Sequence, residues 1–376
     1  MAKVVVLGGG MVGSVMADDL ARSSDLEVTV ADVRDEALER ARARNEAVKG
    51  VRADLSDPAE IKRLAEGADL VCGALASHLG FAALRAVIEA RKPYADISFM
   101  PEDAWDLDGL ARETGARCIV DAGVAPGLSN LLAGRAVARL DRCERVRILV
   151  GGLPRVRTQP FEYKAGFAPA DVIEEYVRPS RIVEHGETVV REALTEVEPI
   201  EITGLGTLEA FNTDGLRSLA VSLDVPHMIE KTMRYPGHAD LMRAFREAGL
   251  FSKEEVEVGG VRVRPLDVTS AVLFPKWTYA DGEEDLTVLR VEAEGTVGGA
   301  PTRLAWELLD YYSQPERATS MSRTTALPCT QFARMLLDGR WDRPGVVSPE
   351  AVGSDENLTN DVLSGLADRG IRVIES

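Results

Sequence analysis

The sequence predicts a doubly wound α/β fold, a parallel sheet flanked by helices, interrupted by an α+β domain. Three observations carry that prediction. Short apolar runs alternate with helical spacing from Lys3 to Asp121. After Gly127 the texture changes to strands joined mostly by turns, and from Ser320 helical spacing returns. With 376 residues the chain exceeds what one ordinary core serves, so two domains are expected.

In chain order, Lys3–Leu7 is a valine-rich run ending in glycines, as a buried parallel strand does. Met11–Ser23 has helical spacing, Glu27–Ala31 reads as a second strand and Asp35–Arg44 as a charged helix. Gly50–Ala53, Leu70–Gly73, Tyr94–Ile97 and Cys118–Asp121 continue the strands, with helices at Pro58–Glu66 and Phe81–Ala90. Val146–Val150 is expected to be a strand ending at Gly151-Gly152. Pro154–Pro169, rich in proline, arginine and aromatics, reads as a loop over a cleft. Leu208–Asn212, Glu255–Val263 and Leu286–Glu294 read as strands, and Gly298-Gly299 as a hairpin turn. Ser320–Leu337 is a helix stopped by Gly339. Glu356–Ile374 reads as helix then short strand, packing back on the first domain. The expected domains are therefore 1–127, 128–318 and 319–376, the last returning to the first.

A formal charge of −17 argues against nucleic acid and anionic membranes as partners. No apolar run approaches the roughly 20 residues of a membrane span. Met1–Leu7 enters a strand pattern at once, without the length or cleavage pattern of a signal peptide. Cys72, Cys118, Cys143 and Cys329 are widely spaced, so neither a disulfide framework nor a metal site is expected. The expectation is a cytoplasmic protein with reduced thiols.

Gly8-Gly9-Gly10-Met11-Val12-Gly13 fits G-x-G-x-x-G between a strand and a helix, the context that turns a weak pattern into a dinucleotide site. Gly8 permits the tight turn, Gly10 the approach of a pyrophosphate, and Gly13 close packing of helix on strand. The amides near Met11 and Val12 would face the phosphates at the positive helix end. Asp32, at the end of the second strand, would accept from the adenosine ribose and repel a 2′-phosphate, favouring NAD over NADP. Arg34 is the residue that favours NADP. Asp54 and Leu55 either flank the adenine or precede a helix cap at Asp57-Pro58. Ala74 to Ser77 are small enough for a nicotinamide ribose to lie near the backbone, and His78 is a proton carrier only if it has a partner.

Several stretches then carry a resemblance. They are Tyr94 with Asp96-Ile97-Ser98-Phe99-Met100-Pro101-Glu102, Asp121-Ala122-Gly123-Val124-Ala125-Pro126-Gly127-Leu128-Ser129-Asn130, and Gly151-Gly152-Leu153-Pro154. Further on come Thr213-Asp214-Gly215-Leu216-Arg217, Arg234-Tyr235-Pro236-Gly237-His238, Met321-Ser322-Arg323-Thr324-Thr325, and Gly345-Val346-Val347-Ser348-Pro349-Glu350. In order along nearly the whole chain, they resemble the saccharopine dehydrogenase-like family, and most closely its lysine 6-dehydrogenase branch. The resemblance implies a Rossmann domain interrupted by an α+β substrate and oligomerisation domain. It also implies oxidation of the ε-amine carbon of L-lysine with NAD, giving ammonia and a semialdehyde that cyclises. Saccharopine reductases carry Asp-Pro-Gly where this chain has Ala125-Pro126-Gly127, which argues against saccharopine itself. Ala76-Ser77-His78 departs from the Pro-Gly-Phe expected of the lysine branch. The alternatives are a saccharopine or carboxyalkyl-polyamine dehydrogenase, and a non-catalytic NAD-binding sensor.

Amine oxidation needs a neutral amine, a stabilised iminium and an anchored carboxylate. Asp96 and Asp121, at the carboxyl edge of the sheet, are the candidate catalytic residues, as cation stabiliser or proton acceptor. Ser98 is a candidate hydrogen-bond partner. Arg217, Arg234 and Arg323 are candidates to grip a carboxylate. Lys164 lies with Tyr163 in the proline-rich loop, and His238 follows a turn; either could handle a proton. A small-molecule amino-acid substrate and a homodimer or higher homo-oligomer complete the expectations.

Overall fold

Val4, Val6 and Leu7 have no solvent contact, and the strand they form stands near the centre of a seven-stranded sheet. The computed structural model describes residues 1–376 apart from 168 and 281; position 168 falls in the proline-rich stretch and so lies outside what can be said of it. The chain divides into two units, Met1–Ala138 with Ser322–Arg372, and Arg139–Met321 with Val373–Ser376.

The first unit begins β1 (Ala2–Leu7), α1 (Met11–Ala21), β2 (Leu26–Asp32), α2 (Asp35–Arg44), β3 (Lys49–Arg52) and α3 (Pro58–Glu66). It continues β4 (Leu70–Gly73), α4 (Ser77–Glu89), β5 (Tyr94–Asp96), α5 (Asp108–Thr114), β6 (Arg117–Ile119) and α6 (Leu128–Arg139). Pro58 starts α3 behind an Asp57 side chain that accepts from the Ala59 amide, the helix-start chemistry read in the sequence.

The second unit runs β7 (Arg142–Pro154), α7 (Pro169–Val177), β8 (Ser180–Glu184), β9 (Glu187–Arg191), β10 (Glu198–Ile202), β11 (Gly206–Asn212) and α8 (Leu219–Ser222). Then come β12 (His227–Arg234), α9 (His238–Glu247), β13 (Val256–Val258), β14 (Val261–Val263), α10 (Pro265–Trp277), β15 (Asp285–Val297) and β16 (Ala300–Tyr311). The return is α11 (Ser320–Leu337), β17 (Gly345–Val347), α12 (Pro349–Gly353), α13 (Glu356–Ala367) and β18 (Ile374–Glu375).

All pairs in the first sheet are parallel, in the order β17-β6-β5-β4-β1-β2-β3. The order reverses between β1 and β4, and ligands of such sheets bind beyond the carboxyl ends of the strands there. The other large sheet is mixed. Its spine β10-β11-β12-β7-β15-β16-β18 has one parallel pair, β12 with β7, and β8 and β9 attach beside β12. Gly298 and Gly299 take positive φ between β15 and β16, as a two-residue hairpin requires.

Three expectations change. First, β7 runs through Gly151-Gly152 to Pro154 because β15 pairs with it along that length. There a Cβ on Gly151 would lie 2.7 Å from the Met233 carbonyl oxygen, so the glycines admit close neighbours instead of ending the strand. Second, the stretch 255–263 is two strands turning at Gly259-Gly260. Third, the terminal strand β18 pairs with β16 in the second unit and not with the first domain. The units part after Ala138 and Met321, with α6 in the first unit.

Candidate functional site

The chain leaves β1 through Gly8, whose φ of +96° favours glycine. A Cβ there would sit 2.4 Å from the Ala74 carbonyl oxygen, and a Cβ on Gly13 would sit 1.9 Å from that of Gly8. Turn, helix α1 and the end of β4 thus close on one another without side-chain room. Gly10 is the opposite case, because a Cβ there meets nothing within 4 Å. That open space fronts the first turn of α1, which carries no acidic residue and whose leading amides, from Met11 and Val12, precede any helical acceptor. Positive backbone and open space together fit a pyrophosphate.

Asp32 ends β2 and is buried. It accepts from the Gly9 amide at 2.9 Å, the Arg34 amide at 2.9 Å and the Arg34 guanidinium at 3.2 Å. Burial works to raise its carboxyl, but the bonds from Arg34 and Gly9 outweigh it and hold the group below the usual range. A carboxylate is therefore fixed where the adenosine ribose would lie, with an exposed arginine beside it.

At the expected adenine flank both residues have local contacts. Asp54 is exposed and accepts from the Ser56 amide and hydroxyl, a local turn. Leu55 is buried in the core with Ile61, Leu64 and Val71. Ala74 gives its amide to Leu7 and packs on Gly8, while Ser77 opens α4 and His78 is exposed beside it.

Asp96 ends β5 with no solvent exposure. Ser98 donates to its Oδ1 from the amide at 3.1 Å and from the hydroxyl at 2.8 Å. Oδ2 has no hydrogen-bond partner among the described residues, and the hydroxyl of Tyr94, two residues back on the same face, lies against the same carboxyl group. Gly73 is the register partner of Asp96, and a Cβ there would fall 2.1 Å from both Asp96 Oδ1 and the Tyr94 hydroxyl. Burial pushes the Asp96 carboxyl up to about 6, against the bonds from Ser98 and Tyr94 and with help from Asp121. This is a carboxylate at neutral pH with an open lone pair, poised to face a cation or take a proton.

Asp121 is buried with φ +52° just past β6, and the next amide, of Ala122, donates to the Asp96 carbonyl at 2.9 Å. The stretch that follows is a tight scaffold. The Asn130 carbonyl oxygen accepts from the Gly127 amide and the Ser129 hydroxyl, and its amide donates to Glu350 at 3.2 Å.

The remaining candidates separate. Arg323 is buried and donates to the Arg369 carbonyl at 2.9 Å. Lys164 pairs with Glu283 and also reaches the Thr278 carbonyl. Arg217 sits part-buried at φ +51° before α8. Arg234 and His238 come together in the second unit. Arg234 is buried, pairs with Glu175 at 2.8 Å and lies 4.6 Å over the Tyr163 ring. His238 Nδ1 faces the Phe161 carbonyl at 3.2 Å and Nε2 the Tyr176 hydroxyl at 2.9 Å. A carbonyl only accepts, so Nδ1 carries the proton and Nε2 accepts from Tyr176. Burial, then the Arg234 charge, pushes His238 down to about 3, so it is neutral, with its Nε2 lone pair engaged by Tyr176.

The sequence reading missed Tyr94, Glu175, Tyr176, Trp277 and Glu230. Glu230 is buried under Thr213, and burial raises its carboxyl to about 8. Glu230, Thr232 and Arg234 alternate along β12 and so share one face of it. Among the described residues no group of three His, Cys, Asp or Glu is placed to hold a metal, and no helix is long and apolar enough to cross a membrane.

Residues 4–119 match the saccharopine dehydrogenase NADP binding domain, and residues 123–371 the saccharopine dehydrogenase C-terminal domain. The chain is 23% identical to the saccharopine dehydrogenase [NADP(+), L-glutamate-forming] of Schizosaccharomyces pombe, covering 100% of this chain and 99% of that one. It is 22% identical to the carboxyaminopropylagmatine dehydrogenase of Synechocystis, covering 95% and 94%. The fold matches the apo saccharopine dehydrogenase (L-Glu forming) of Saccharomyces cerevisiae with a TM-score of 0.81 at 18% identity, covering 100% and 99%.

Proposed function

The chain belongs to the saccharopine dehydrogenase family, an oxidoreductase with a nicotinamide-dinucleotide domain, and from that premise we propose that it oxidises the ε-amine of L-lysine with NAD. The observation that carries the chemistry is the buried Asp96 carboxylate with its open Oδ2, on the strand next to the one that packs on Gly8. The resemblance of Ala125-Pro126-Gly127-Leu128-Ser129-Asn130 to the lysine branch supports the substrate. The fixed charge of Asp32 supports NAD, because a 2′-phosphate would meet it at close range.

Bound NAD supplies the hydride acceptor. The amine must first lose a proton, and Asp96 Oδ2 is the group that accepts it. Ser98 holds the other oxygen, so the open one keeps its direction. Water then adds to the carbon–nitrogen double bond, ammonia leaves and the semialdehyde remains. A second reading, oxidation of a carboxyalkyl secondary amine with NADP, is favoured by Arg34, whose exposed guanidinium lies beside the ribose position. Initial rates with L-lysine, saccharopine and carboxyaminopropylagmatine, each with NAD and NADP, decide between them. Reduction of NAD by L-lysine supports the first reading; turnover of only a secondary amine overturns it.

A further inference from the structure

His185 and His227 are two of the four histidines of the chain, and their rings lie against each other in the second unit. The ring centroids are 4.8 Å apart and the planes cross at 78°. His185 is exposed and His227 half-buried, so solvent reaches both. Among the described residues neither imidazole makes a hydrogen bond. His238 contrasts with them, since both of its ring nitrogens are engaged.

The backbone holds the two together. His185 and Gly186 form the two-residue turn between β8 and β9, with φ of +53° and +81°. Asn, Asp or Gly is the usual choice at the first of those positions, so turn geometry alone does not call for a histidine. The Gly186 amide donates to the Pro226 carbonyl at 2.9 Å, and Val183 pairs with Met228. The turn is thereby fixed beside the head of β12, where His227 stands. Glu184 and Glu187, register partners on either side of the turn, make its surroundings acidic.

A neutral imidazole is the commonest side-chain ligand of transition-metal ions. With metal–nitrogen bonds of about 2.0–2.1 Å, two imidazoles on one ion have ring centres about 4.5 Å apart at a right angle and about 5.2 Å apart at the tetrahedral angle. The spacing of His185 and His227 falls between the two. The second side-chain torsion of histidine is broad, and no hydrogen bond ties either ring, so one nitrogen of each can turn to a common point. We propose that His185 and His227 form a surface site for one divalent transition-metal ion, zinc or copper, whose remaining positions are filled by water. Two protein ligands make it an open site that takes its ion reversibly, unlike a closed structural centre. A bound ion staples the β8–β9 turn to β12. The site is independent of the reaction proposed above.

The test is calorimetric titration of the chelator-treated full chain with Zn²⁺ and, separately, Mg²⁺. One Zn²⁺ is expected to bind per chain at this pair, and Mg²⁺, which prefers oxygen ligands, is not. His185→Asn keeps a residue that tolerates the left-handed turn, and His227→Gln removes the other ring. Each is expected to weaken Zn²⁺ binding by about 10-fold or more, while His78→Gln, an exposed histidine of the first unit, changes it by less than about 2-fold. With Cu²⁺, electron paramagnetic resonance should show two coordinating imidazole nitrogens in wild type and one in either variant. Circular dichroism checks that each variant keeps its fold. Wild-type protein that binds no Zn²⁺, or either variant binding it as tightly as wild type, overturns the site. Equal weakening by His78→Gln also overturns it, because the ion then binds scattered histidines and the ring pair is packing alone.

Discussion

Asp32 and Arg34 form an ion pair across one residue, with Arg34 Nε 3.2 Å from Asp32 Oδ1 while Asp32 Oδ2 receives the Gly9 amide at 2.9 Å. One carboxylate therefore braces the glycine turn and sets the charge at the ribose position, while the arginine it holds is the group a 2′-phosphate would recruit. Asp32→Ser should lower kcat/KM for NAD by about 10-fold or more and improve that for NADP, because repulsion goes and Arg34 is released. The ratio of the two in one assay reads the effect. An unchanged ratio would mean that Asp32 only braces the turn.

Asp96 holds its proton more tightly folded than unfolded, since burial lifts its carboxyl to about 6. The native state then binds more protons than the unfolded chain between the ordinary carboxyl range and about 6, so stability falls as pH rises through that window. Asp96→Asn removes the penalty and should melt higher than wild type above about pH 7, with the gain shrinking in acid. Its kcat/KM should nevertheless fall by about 100-fold or more. The acid limb of the wild-type profile, placed near 6, should vanish with it. Melting curves and pH–rate profiles on the same preparations separate the two effects.

His238 has the opposite sign. Burial and Arg234 depress it from 6.5 to about 3, so the unfolded chain binds the extra proton and native stability is lost as pH falls between those values. His238→Gln should flatten the acid side of the stability curve in urea titrations, at the cost of part of the Tyr176 and Phe161 hydrogen bonding at neutral pH. Equal slopes in both proteins would show that His238 titrates normally.

Gly13 and Gly10 should respond differently to alanine. A Cβ on Gly13 meets the Gly8 carbonyl oxygen at 1.9 Å, whereas one on Gly10 meets nothing within 4 Å. Gly13→Ala should destabilise by about 2 kcal/mol or more through forced backbone movement. Gly10→Ala should fold normally and lose dinucleotide affinity alone, because its Cβ would stand where the pyrophosphate approaches. Thermal melts with and without NAD compare them.

The parts legible in the sequence are those whose signal is local. Gly8 to Gly13 and Asp32 are spaced by one strand–helix–strand unit, so pattern alone locates them. Gly298-Gly299 announces its hairpin in the same way. What the sequence hides depends on distant partners. Arg234 on β12 meets Glu175 on α7, and Tyr163 meets Trp277 on α10, through sheet register and helix packing that no short window contains. The burial of Leu55 comes from helices α3 and α4, outside the strand pattern that marks it as a candidate ligand flank. Gly151-Gly152 looked like a strand end because the close neighbours that require glycine come from β12 and α11.

The most direct measurement is steady-state reduction of NAD by the purified full chain with L-lysine, with ammonia assayed in parallel. NADH and ammonia should form in equal amounts, faster than with NADP, and Asp96→Asn should abolish nearly all of both. No dinucleotide reduction by L-lysine at any pH, together with turnover of saccharopine or carboxyaminopropylagmatine with NADP, would contradict the proposed function.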